Sequence, residues 1–522
     1  MISIHINKSR IINTIFITLI FITSCFIFCN GVLIGDDIYF KFLAFGIKIS
    51  KNFSYGTWLM DVQNFLMFYL PNKLNIHIQD WALTFGTIIK AIVVTSTISI
   101  FMKILKEKEL KNEIIFPCTL FFFFSYIILL EKTRFIDFII YEGFFRFTIP
   151  SLLLLIFSYK FYNFLEKKNE NKNALSILGI ITASSSEICA IILIISTFLY
   201  GVYLTFSKKE VKKKIYSIIP IFLSLILGLI ILTNSNGFQE NIQNKFNDIS
   251  INLDINFSIL SEFTILFFKK IILDYLPIHI LVLIFVLLNF KTTKNKLENF
   301  YPISLIFSIF IFSYIFIFFG KTSYSENYWL VHKDFYTIFI PTFLFSFSIL
   351  LSNYLSIQKG NLNTKKLLCC FILIGFLLFP QFCDAVSFIK KSNNNIKQHS
   401  YIRDKIRLFY LYKNQVPTMP YFASFEAFFS LVKNHDIAFG DNVTTKKQIP
   451  TMHYERLEKH YFNNTYDVEI KPFAQQINIT TDKQALNTFK ENGGNIDEIY
   501  KNKYNFSDLK NKNFVINSKN KK

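Results

Sequence analysis

Long apolar runs alternate with shorter polar ones through the first 385 residues, at 11–34, 79–102, 113–130, 147–165, 174–206, 215–233, 271–290, 300–319, 335–355 and 367–385. A helix needs ~20 apolar residues to cross the hydrocarbon core, and most of these runs reach that length. Backbone amides in lipid must bond within their own segment, so the runs predict transmembrane helices. One run breaks the alternation. Lys167, Lys168 and Lys172 precede 174–206, and Lys208, Lys209, Lys212, Lys213 and Lys214 follow it. A helix that crosses once cannot have basic loops of one side at both ends. Two passes, 174–184 and 188–206, turning at Ser184-Ser185-Ser186-Glu187, restore the pattern. The first pass is too short to span, so its turn is expected at depth, shielded by protein or lining a wet cavity.

With that repair the pattern predicts an all-α polytopic membrane protein of about eleven transmembrane helices over residues 1–385. From 386 to 522 the chain turns polar, and mixed periodicity at Ile402–Tyr412, Ala423–Lys433 and Ala485–Asn492 predicts a small extracytoplasmic C-terminal domain, α/β or mainly helical. In the first polar loop, Tyr39–Phe45 and Trp58–Tyr69 have the aromatic spacing of helices lying flat on the outer leaflet, and Phe263–Lys270 has a similar interfacial pattern.

Charge orients this framework. The net charge is +20, and basic residues cluster in short loops between apolar runs, where lysines mark the cytoplasmic side and touch anionic headgroups rather than nucleic acid. Lys8 and Arg10 place the N-terminus in the cytoplasm, and the helix count places the C-terminus outside. The first run is too long for a signal-peptide core and lacks a small-residue cleavage site, so it is expected to stay as a helix. The seven cysteines all lie in or beside apolar runs, which leaves the polar tail without a disulfide framework. Usage rich in Lys, Asn, Phe and Ile points to a bacterial inner membrane.

Candidate chemistry gathers at the outer face. Asp36 and Asp37 follow directly on the first helix. One Asp satisfies a helix cap; a second carboxylate at a lipid boundary is costly, and the pair suits a general base beside an acceptor-orienting or cation-holding group. The same topology brings Glu187 to that face, where it and Glu142 are candidates for binding an acceptor hydroxyl or a metal. Arg134 and Arg146 flank the outer loop before the fourth helix, and Lys321, His332 and Lys333 lie in a later one. These are the candidate donor-phosphate ligands, guanidinium groups being able to grip phosphate bidentately. HExxH, CxxC, Walker and GxSxG motifs do not occur, which leaves a soluble-type hydrolase or nucleotide-driven pump without support.

The long first helix, the acidic pair at its outer end, the amphipathic first outer loop and the outward C-terminal domain together resemble the GT-C class of membrane glycosyltransferases, which includes protein O-mannosyltransferases and the lipid A aminoarabinose transferase. Gly35-Asp36-Asp37-Ile38-Tyr39, Tyr141-Glu142-Gly143 and Ser186-Glu187 look like the bacterial glucosyltransferase-like members. The resemblance covers the first 385 residues as an architecture, with Asp36, Asp37 and Glu187 as its motif residues. It implies a polyprenyl-phosphate-linked sugar donor, an envelope glycan, lipid or protein as acceptor, inversion at the sugar, and a divalent cation such as Mg or Mn as a conceivable cofactor. The competing readings are a lipid-linked glycan flippase or transporter, and a non-catalytic scaffold of surface-glycan assembly. Transporters tend to carry paired halves and mid-membrane charges; this chain shows no such symmetry, and its candidate carboxylates sit at one face.

Overall fold

The computed structural model describes residues 8–29, 57–74, 76, 81–132, 144–166, 171–206, 209–235, 239, 296–320, 328–357, 375–376, 378–390, 409–410, 418–420, 478–480 and 482–494. Among these, helices long and apolar enough to cross a membrane number seven. The candidate segment 271–290, the start of 367–385, and the interfacial stretches Tyr39–Phe45 and Phe263–Lys270 lie outside the described residues.

The bundle is built from α1 (Lys8–Phe28), α2 (Trp58–Asn64), α3 (Thr87–Glu107), α4 (Asn112–Lys132), α5 (Ile149–Leu165), α6 (Lys172–Ala183), α7 (Glu187–Thr205), α8 (Lys209–Thr233), α9 (Lys296–Gly320), α10 (Tyr328–Ile357) and α11 (378–390). Helix α10 is the hub and packs on α3, α4, α5 and α9. Of its membrane-length window, 94% is buried inside the protein, against 22% for α1 at the periphery. Thr342, Ser348 and Ser352 of α10 sit in this interior because each hydroxyl donates back to a carbonyl three or four residues earlier, so none brings an unmet polar group into the core.

The run 174–206 is broken, as its flanking charges require. Helix α6 stops at Ala183, Ser184 to Ser186 form a turn, and α7 begins at Glu187. Its twelve residues rise only about 18 Å, too little to cross alone. Close packing holds it instead. Gly179 and Ala183, four apart, meet Ser224 and Gly228 of α8, also four apart. A Cβ on Gly228 would stand 2.7 Å from the Ile180 carbonyl oxygen, so the two backbones touch. These pairings make α6 and α8 run in the same direction, and α7 returns between them. The turn is level with Gly228, about 8 Å short of the end of α8, and its serines are buried, Ser185 completely.

The lysine-rich termini share one end of the bundle. There Lys108 pairs with Glu166 at 2.5 Å, tying the end of α3 to the end of α5. Glu107 accepts from the Tyr159 hydroxyl and, at 3.3 Å, from the Asn163 amide. Tyr162 donates to Asn353 (3.3 Å), which donates to Asn299 (2.9 Å), joining α5, α10 and α9.

Beyond α11, β1 (Thr418–Pro420) pairs in parallel with β2 (Asn478–Thr480), and α12 (Asp482–Glu491) packs on β1. The Phe489 ring meets Phe409 edge to face at 4.7 Å. Helix α12 ends in a Schellman cap: Gly493, at φ +82°, donates to Lys490, and Gly494 donates to Phe489.

Candidate functional site

The end of the bundle opposite the lysine-rich termini is built differently. Three π-helical turns occur among the described residues, at Phe65–Tyr69, Ala82–Gly86 and Phe144–Thr148, and all lie at this end. A π-turn inserts a residue into the helical ladder and is enriched at functional sites. The first extends α2 into a helical rod that continues to Lys73. The Trp81 indole donates to the Leu66 carbonyl at 2.9 Å and fixes the rod to the start of α3. At its other side α2 packs on the turn Phe144–Thr148 that opens α5. The rod therefore bridges the start of α3 and the start of α5. The Thr87 hydroxyl reaches the Phe28 carbonyl at 3.3 Å, which brings the end of α1 to the same rim.

Polar groups that sequence reasoning did not single out occupy this rim. Lys90, one turn along α3 from Thr87, is only 2% exposed. An ammonium group this deep is expensive and marks a functional position by default. Asp61 of α2 is half-buried, and burial lifts its carboxyl from the usual range to about 6. Gln63 is fully buried, and among the described residues neither its amide oxygen nor its nitrogen has a hydrogen-bond partner. The hydroxyls of Thr57 and Thr148 are buried and unpartnered in the same way. Leaving such groups unmet costs ~1–3 kcal/mol each. A rim of buried donors and acceptors beside a buried cation can hold a polar ligand.

The predicted residues distribute as follows. Arg146 lies in the third π-turn, half-buried, its guanidinium carbon 5.1 Å from the centre of the Phe147 ring. Glu187 is the first residue of α7, half-buried, where a carboxylate complements the positive end of the helix dipole. Arg146 and Glu187 thus stand at the starts of α5 and α7, which contact one another. His332 and Lys333 fall in the first turns of α10, on its extension beyond the buried window, with their side chains outside the described residues. Asp36, Asp37, Arg134, Glu142 and Lys321 lie outside the described residues. Among the described residues, no three His, Cys, Asp or Glu side chains group as metal ligands.

One signal in the sequence pointed at the missed groups. Asp61 and Gln63 interrupt an otherwise aromatic and aliphatic stretch, Trp58–Tyr69, and Lys90 interrupts the apolar run 79–102. Compared with known proteins, the chain matches no family model, no curated protein and no solved structure.

Proposed function

We propose that the protein is a membrane glycosyltransferase of GT-C-like design, which moves a sugar from a polyprenyl-phosphate-linked donor to an envelope acceptor at the non-cytoplasmic face. The observation that carries this reading is a buried lysine, Lys90, on a rim whose adjoining helix holds a carboxyl lifted to about 6. Donor and acceptor demand these two kinds of group. The acceptor hydroxyl attacks the anomeric carbon, the bond from that carbon to the phosphate oxygen breaks, and the hydroxyl proton passes to a carboxylate. Asp36 and Asp37 are the pair assigned to this proton and to the acceptor. Asp61 adds a carboxyl whose proton affinity lies close to neutral pH, where a general base works best. The departing phosphate gathers charge in a dry setting, and Lys90 and Arg146 supply fixed positive charge for it.

In this reading the lysine-rich end faces the cytoplasm, the full bundle has about eleven helices, and the tail beyond 386 lies outside, where it helps recognise the acceptor. A divalent cation would be held by Asp36, Asp37, Glu142 or Glu187, and no step above depends on it.

Mass spectrometry of envelope glycans tests the proposal. Cells lacking the protein should lose one sugar mass, and Asp36→Asn or Asp61→Asn at normal protein level should reproduce that loss. Glycans unchanged by removal of the protein would overturn the assignment. Loss on removal with full retention in both variants would favour a scaffold.

A further inference from the structure

We propose that the contact between α2 and the π-turn Phe144–Thr148 is the sugar subsite of the transferase, and that it takes a neutral, fully hydroxylated ring. This rests on the glycosyltransferase reading above and adds the class of sugar, which that reading leaves open. The rod that begins with α2 is inside out for a helix on a hydrated surface. Its outer face carries Phe65 and Tyr69, both exposed, with rings stacked at 5.7 Å, and Leu74, also exposed. Counted from the N-cap, Thr57, Met60, Gln63, Asn64 and Met67 fall within an inner arc of about 120°. An apolar outer face suits lipid, and the neutral polar groups are thereby turned into the protein. Apart from its own continuation, α2 packs chiefly on the π-turn Phe144–Thr148.

The choice of ligand follows from the unmet groups. Among the described residues fifteen buried side-chain nitrogen and oxygen atoms have no hydrogen-bond partner, and five belong to these two elements: Thr57 Oγ1, Gln63 Oε1 and Nε2, Asn64 Oδ1 and Thr148 Oγ1. Gln63 and Thr148 are completely buried, and Thr57 is 3% exposed. An amide offers both a donor and acceptors, and a hydroxyl offers either, which matches ring hydroxyls that also do both. None of the four side chains carries charge. A sugar carboxylate or ammonium would be desolvated against them without a counter-charge. The nearest charged side chains along the two elements, Asp61 and Arg146, are already assigned to the proton and the phosphate. A deoxy sugar would leave one of the buried groups unmet, the situation in which a polar pocket rejects an analogue most strongly.

The test starts from the sugar that envelope glycans lose when the protein is removed, identified by mass spectrometry. A neutral, fully hydroxylated sugar is expected, and one that is charged or lacks a ring hydroxyl would overturn the subsite. No loss at all would overturn the transferase reading itself, and the subsite with it. The full-length protein in proteoliposomes is then given the polyprenyl phosphate of that sugar and its monodeoxy analogues. At least one analogue should fall about a hundredfold in kcat/KM, on the scale of a buried group left unpaired. Gln63→Leu should lower kcat/KM for the parent donor about tenfold and narrow the gap to that analogue. Thr148→Val, close in shape to the native residue, should narrow the gap for another hydroxyl, and it serves if Gln63→Leu does not fold. A merely structural role would lower all donors alike. Deoxy donors as good as the parent, or gaps unchanged in the variants, would overturn the subsite and leave the transferase standing.

Discussion

The two ends of the bundle differ in how far their buried polar groups are paired. At the lysine-rich end Glu107, Lys108, Tyr162, Asn299 and Asn353 are linked across four helices by hydrogen bonds and an ion pair. At the other end the Gln63 amide and the Thr57 and Thr148 hydroxyls are also buried, and among the described residues they have no hydrogen-bond partner. Paired groups in a low-dielectric interior lock helices in register, whereas unpaired ones store an energetic debt that a ligand can discharge. One end is built for position and the other for binding.

This contrast predicts effects of opposite sign. The largest is expected at the paired end. Asn353→Ala removes the acceptor of Tyr162 and the donor to Asn299, and should destabilise the detergent-solubilised protein by about 3 kcal/mol in denaturant unfolding, since two buried groups lose partners. Next comes Gln63→Leu, a near-isosteric change at the unpaired end. It should raise stability by about 1–2 kcal/mol because a buried unbonded amide is replaced by an apolar side chain, while glycan transfer falls. A loss of stability at Gln63 would erase the distinction between the ends.

The smallest effect depends on pH. Asp61 is lifted to about 6, above its ordinary 3.8. The folded protein therefore holds this proton more tightly than the unfolded chain. Its contribution is fully present below pH ~4 and is lost as pH rises through about 6. The carboxyl is half exposed, so solvent screening limits the effect to about 1 kcal/mol. Thermal unfolding from pH 4 to 7 should show this decline in the wild type and a flatter profile in Asp61→Asn.

The helical scaffold was largely legible before any coordinates. Apolar length located α1, α3, α4, α5, α8 and α10, because crossing lipid leaves little conformational choice. Lysine asymmetry alone located the break between α6 and α7. Periodicity at Ala485–Asn492 fell on α12, whose end the positive φ of Gly493 sets. The rim was less legible. Burial of Lys90 and Gln63 depends on how α2 and α3 meet their neighbours, and one polar residue in an apolar stretch does not reveal which way it will face. The π-turns left no trace in periodicity, since each shifts the helical phase by a single residue.

The small-residue seat between α6 and α8 has a consequence for biogenesis. A twelve-residue segment falls short of the ~20 apolar residues that cross the hydrocarbon core. Its seat against α8 is completed by Gly228, which is synthesised about 45 residues after Ala183. The shorter, earlier helix is thus held by a partner made later in the chain.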